Sequence, residues 1–189
     1  QTSVNGGNIT DARLSGAGVT AANYSAGAPG GNSGNLGVNF TAAAAGALAP
    51  LTGQVVNLRS NFDNIADQKL NIVVGAGAAA YNAAAGNATP SPLVVANQRI
   101  GGTGSAAVTI SNTAAAGSFT ETLNASFTGS TGAATTNGGS ITGGVGSGVA
   151  GGASNSAAMA VGVNTATAGA KTGTVTIGYV SNGTGSSGL

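Results

Sequence analysis

Apolar and polar residues alternate with a period of two over several stretches of the chain, the spacing of strands with one buried face. In Phe119-Thr-Glu-Thr-Leu-Asn-Ala-Ser-Phe127, the residues Phe119, Leu123, Ala125 and Phe127 share a face with Glu121, while Thr120, Thr122, Asn124 and Ser126 take the other. From Thr172 to Val180 the inward set is Val175, Ile177 and Tyr179. Val108 and Ile110 alternate with Thr109 and Ser111, and Met159, Val161 and Val163 with Ala160 and Gly162. Shorter candidates are Val19 to Tyr24, Leu36 to Phe40, Gln54 to Arg59, Leu70 to Val74 and Leu93 to Ala96, separated by Asn-Gly and Gly-Gly turn signals. One stretch, Ala76 to Ala85, reads either as a marginal helix interrupted by Gly77 or as an extended lead into Pro90-Ser91-Pro92, and the second reading is favoured. The number and spacing of strands predict an all-β protein of antiparallel sandwiches.

The same segments recur. Asn5-Gly-Gly-Asn-Ile-Thr10 matches Asn137-Gly-Gly-Ser-Ile-Thr142, and Leu36-Gly-Val-Asn39 matches Val161-Gly-Val-Asn164. Thr52-Gly-Gln-Val55 matches Thr172-Gly-Thr-Val175, and Ser60-Asn61 matches Ser181-Asn182. Matches in one order along the chain mark an internal repeat. Residues 1–70 then read as the second half of a module, 71–92 as a strand and linker, and 93–189 as a nearly complete module, about one and a half repeats. A half sandwich leaves an apolar face and a strand edge uncovered, which a neighbouring copy or an adjacent repeat would cover.

Composition sharpens this picture. Of 189 residues, 132 are Gly, Ala, Ser, Thr or Asn, and only nine are charged. Such low complexity usually signals disorder, but disorder also calls for net charge, and this chain carries +1. Small neutral residues therefore read as material for closely packed backbones. Without Cys there is no disulfide frame or thiol nucleophile, and without His no imidazole base or ligand. Five Lys/Arg against four Asp/Glu provide no stripe for nucleic acid. No apolar run is long enough for a membrane helix, and no signal peptide opens the chain; Gln1 is compatible with a mature N-terminus.

Few residues suggest chemistry. Gly102-Thr-Gly104-Ser-Ala-Ala107 mimics a dinucleotide fingerprint, yet a β-branched strand follows where that motif needs a helix. Gly169-Ala-Lys171-Thr172 lacks the order of a phosphate loop, and Lys171 reads as an exposed residue at a strand start. Asp63 and Asp67, with Asn61 and Asn64, form the one acidic cluster and a weak calcium candidate, a plain polar loop being the favoured reading. No cofactor is expected. The residues expected to build the core or the assembly contacts are Phe40, Val55, Phe119, Leu123, Phe127, Val161, Val163, Val175, Ile177 and Tyr179.

The stretch Leu93-Val-Val-Ala-Asn-Gln-Arg-Ile-Gly-Gly-Thr-Gly-Ser-Ala-Ala-Val-Thr-Ile-Ser-Asn-Thr113, with Glu121-Thr-Leu-Asn-Ala125, Val161-Gly-Val-Asn-Thr165 and Ser181 to Leu189, resembles the choice-of-anchor D type of bacterial surface repeat, related to ASH domains. The resemblance implies immunoglobulin-like sandwiches in a large exported protein and no catalytic residues. The expected function is a non-enzymatic extracellular or cell-surface structural protein, a self-assembling fibre or surface-layer subunit joined by β-strand complementation. The alternatives are a spacer or adhesin segment of a giant surface protein and, behind it, a carbohydrate- or ice-binding module.

Overall fold

The computed structural model describes residues 2–19, 22–24, 37–60, 64, 66–143 and 147–188. Among them the secondary structure is all β, with antiparallel sheets and no helix. The chain divides into two compact units, Gln1–Ala80 and Tyr81–Leu189. The boundary falls inside the stretch expected to be a linker, and the second half of that stretch belongs to the second unit. Within residues 76–85 lie the short strand Ala79–Ala80 and no helix, so the Ala-rich segment takes the extended rather than the helical option, and Gly86–Thr89 follows as a strand.

In the first unit, β1 (Thr2–Asn8) lies between β3 (Ala22–Tyr24) and β6 (Val55–Ser60), and β7 (Gln68–Asn71) pairs with the other edge of β6. Two small pairs accompany this sheet. β2 (Leu14–Ser15) joins β4 (Asn39–Phe40), and β5 (Gly46–Ala47) joins β8 (Ala79–Ala80). Among the described residues of this unit, the buried apolar ones are Leu14, Leu51 and Val56. Gln54 partly substitutes for a core. Its Oε1 accepts the Thr10 and Asp11 amides at 2.8 and 3.0 Å, and its Nε2 donates to Thr10 Oγ1 and the Thr52 carbonyl. Asn57 is buried on β6, and its Oδ1 has no hydrogen-bond partner among the described residues.

The second unit is two sheets face to face. One has the order β12 (Ala134–Thr136), β14 (Ser154–Val163), β10 (Ser105–Asn112) and β9 (Gly86–Thr89). The other has β13 (Ser140–Ile141), β11 (Thr122–Gly132) and β15 (Gly173–Asn182). The inward faces meet in one cluster: Val108, Ile110 and Met159 from the first sheet, Leu123, Ala125 and Ile141 from the second, with Val149 beside them. On β11 the period-two pattern buries Leu123 and Ala125, then ends at a bulge between Phe127 and Gly129, beyond which the strand is exposed.

The two units use the repeated sequence differently. Thr52–Val55 leads into β6 and Thr172–Val175 into β15, so these strands correspond. In the second unit β15 pairs along its length with β11, which is flanked on its far side by β13 from the Asn137–Thr142 copy of the repeat. In the first unit the Asn5–Thr10 copy runs into β1, and β1 itself pairs with β6, from Thr2 opposite Ser60 to Asn8 opposite Val55. Among the described residues, β1 holds the position beside β6 that β11 holds beside β15.

Candidate functional site

Side-chain hydrogen bonds, with no ion pair among the described residues, cross-link the second unit. Asn112 continues the inward face of Val108 and Ile110 and is almost fully buried. Its Oδ1 accepts the Ala85 and Ala114 amides at 3.0 and 3.2 Å, and its Nδ2 donates to the Glu121 and Val149 carbonyls at 3.1 and 3.0 Å. One amide thus ties four chain segments and meets the requirement that buried polar groups find partners. Glu121 is buried beside it, and its carboxylate accepts the hydroxyls of Ser181, at 2.5 Å, and Ser187. Ser181 Oγ also accepts the Ala84 amide at 2.7 Å. These hydrogen bonds tie the segments at residues 84, 121, 181 and 187 together. Asn137 works in the same way at the surface, accepting the Gly139 and Ala160 amides and donating to the Ala158 carbonyl.

The second unit also carries a groove of about 620 Å³. One wall is the stretch Leu93–Ile100, extended but in no strand pair. The facing side runs from Val161 to Val163 and from Thr167 to Gly173, the start of β15. Leu93 and Val95 are half-buried while Val94 and Ile100 are exposed. Arg99 and Lys171 line the groove; Lys171 is half-buried, with Nζ 2.6 Å from Thr167 Oγ1. The other charged residue of this unit is Glu121, buried in its hydroxyl ties.

The residues expected to build the core separate into three groups. Leu123 is at the centre, and Phe127, Val161 and Ile177 pack against it. Val55, Phe119, Val163 and Val175 are half-buried. The Phe119 ring stands 5.6 Å from the Tyr81 ring, and Val163 lines the groove. Phe40 and Tyr179 are corrections, since both are exposed. β4 is too short to cover the Phe40 ring, which instead carries the Arg13 guanidinium 5.3 Å from its centroid. The Tyr179 ring lies against Gly86, so closely that a Cβ there would stand 2.4 Å from it. Partial burial of this ring raises the phenol pKa above its ordinary value.

Of the calcium candidates, Asn61 and Asp63 lie outside the described residues. Asn64 is exposed, and Asp67 pairs with Arg59 at 3.2 Å. No cluster of three or more acidic or other metal-binding side chains occurs among the described residues. In the first unit Asp11 takes Arg13 Nε and Nη2 at 2.9 and 2.6 Å and also the Arg13 amide. These hydrogen bonds hold the Asp11 carboxyl well below the usual range, at about 2.

Sequence reasoning placed Glu121 on the inward face but missed Asn112. The signal was present, because Asn112 falls two positions beyond Ile110 on the same alternation. It also missed the groove, whose walls are distant in sequence. Compared with protein-family models, curated proteins and solved structures, the chain matches none.

Proposed function

We propose that this chain is a non-enzymatic, extracellular structural subunit that joins copies of itself by β-strand complementation. The supporting observation is the strand arrangement of the first unit. β1 sits beside β6 where the repeat's other copy has the long strand β11, and among the described residues of this unit few apolar side chains are buried. Open strand edges are templates for pairing with another chain. The near-zero net charge gives copies little reason to repel. The hydrogen-bonded ties around Asn112 and Glu121 suit a structural scaffold, and the surface-repeat resemblance points the same way.

The test is to purify the 189-residue chain and follow it by size exclusion and electron microscopy over a range of concentrations. Polymers that grow with concentration support the proposal. A folded monomer that persists at every concentration overturns it. That second result would favour the spacer or adhesin reading, which the presence of two compact units in tandem also supports.

A further inference from the structure

We propose that the groove of the second unit receives an extended peptide segment of a different protein, one with carboxylates at one end and apolar residues at the other. This goes beyond the assembly reading, and neither depends on the other.

Charge selects the chemistry of the occupant. Arg99 and Lys171 are the two cationic side chains of residues 81–189, and both line this groove. They also gather at one end of it. The Gly102 amide donates to the Arg99 carbonyl at 2.9 Å and the Gly101 amide to the Thr165 carbonyl at 3.2 Å. Thr165 Oγ1 donates to the Gly102 carbonyl at 2.8 Å, so the turn after Arg99 is fastened to Thr165. Two residues on, Thr167 Oγ1 accepts Lys171 Nζ at 2.6 Å. The acidic side chain of this unit, Glu121, is buried elsewhere on its serine hydroxyls, so no carboxylate of the unit answers these cations. A cleft lined by one sign of charge draws the opposite sign. The other end is apolar: Leu93 and Val95 are half-buried and Val94 is 80% exposed. Leu93 and Val161 line the groove and also pack against the core, so this surface is set before a partner arrives.

The backbone selects a peptide. Among the described residues, no backbone amide from Leu93 to Ile100 donates to another backbone group, and β15, whose start lines the groove, pairs only with β11. An extended segment laid along such a backbone gains main-chain hydrogen bonds, with side-chain fit setting specificity. No aromatic ring lines the groove among the described residues, so nothing stacks against a sugar. The source is a different protein because the chain's own carboxylates are taken. Among the described residues, Asp11 is paired with Arg13, Asp67 with Arg59, and Glu121 is buried.

The experiment measures binding to the full chain by fluorescence anisotropy. The probes are the end-blocked peptide Asp-Asp-Ser-Val-Thr-Val-Thr-Val, the same sequence reversed, and both with lysines in place of the aspartates. One of the two acidic peptides should bind about tenfold or more tighter than its lysine counterpart. Arg99→Gln and Lys171→Gln should each loosen it about threefold, and together about tenfold, with a smaller dependence on salt. Methylating alternate backbone nitrogens of the bound peptide, in one of the two possible sets, should abolish binding, because it removes the main-chain donors. Acidic and lysine peptides that bind alike, or acidic peptides that do not bind, overturn the proposal. So does binding that both variants leave unchanged. Polygalacturonate that binds through Arg99 and Lys171 where neither acidic peptide does overturns the peptide in favour of an acidic glycan. Polymer formation by the same chain, followed in parallel by sedimentation, tests the assembly reading separately.

Discussion

Replacing Asn112 tests whether neutral ties carry the second unit. Asn112 is 1% exposed and engages four backbone groups. In Asn112→Ala all four bonds are lost. The Val149 carbonyl still accepts the Leu123 amide at 2.9 Å, so its loss is only partial. At about 1 kcal/mol per bond, with part of the fourth, the loss comes to about 3.5 kcal/mol. That is a large share of the roughly 5–15 kcal/mol expected of a whole domain. The Leu123 and Val149 amides bond each other's carbonyls across the core, so their hydrogen exchange reports this unit directly. Protection at both should fall about 300-fold, since each 1.4 kcal/mol is tenfold.

Asn112→Asp sharpens the test. It keeps the acceptor for Ala85 and Ala114 but sets a second carboxylate oxygen against the Glu121 and Val149 carbonyls. Ionisation in that site is unfavourable, so the folded pKa rises above the ordinary value of about 3.9. The native state then keeps a proton that the unfolded chain releases. The penalty is greatest above the raised folded pKa and shrinks as pH falls toward the unfolded value. Relative to wild type, this variant must regain protection on acidification. Protection within a few-fold of wild type for the Ala variant, or further loss for the Asp variant as pH falls, would refute the reasoning.

Three more expectations concern other elements. Gly86→Ala should cost about 1–3 kcal/mol by forcing the Tyr179 ring off β9, and Tyr179→Ala in the same chain should remove most of that cost in a urea-denaturation double-mutant cycle. Leu123→Ala, at the centre of the core, should destabilise the second unit by about 3 kcal/mol through the cavity it leaves, read from the urea midpoint. The Asp11 carboxyl should titrate by NMR near 2, and Arg13→Ala should return it toward the ordinary range. Because the folded pKa is depressed, the stabilisation from this pair is present above the ordinary carboxylate pKa and is lost as pH falls through about 2.

The second unit's fold was legible because its strands are long and half-buried. The alternation around Leu123, Val108 and Met159 marks faces that do become the core. Tyr179 was misjudged because alternation gives the side of a strand but not how far the opposing sheet extends over it. Phe40 failed for a related reason: a two-residue strand has too little sheet around it to bury an aromatic ring. The groove was illegible because it depends on residues near 95, 162 and 170 coming together, and on one stretch being extended yet unpaired. The repeat located β6 and β15 correctly as counterparts. It could not reveal that their neighbours differ, since pairing partners are chosen by the whole sheet.

The position of the charges around the groove has a consequence for symmetry. Arg99 and Lys171 both line it, while Glu121, the acidic residue of that unit, is buried behind serine hydroxyls. Two grooves brought together about a two-fold axis would confront cation with cation, the one carboxylate of each second unit, Glu121, being buried. Self-complementary contact through this surface is therefore disfavoured, and contact with a different surface is preferred. In the proposed assembly, contact between unlike surfaces would give a row of subunits two distinguishable ends.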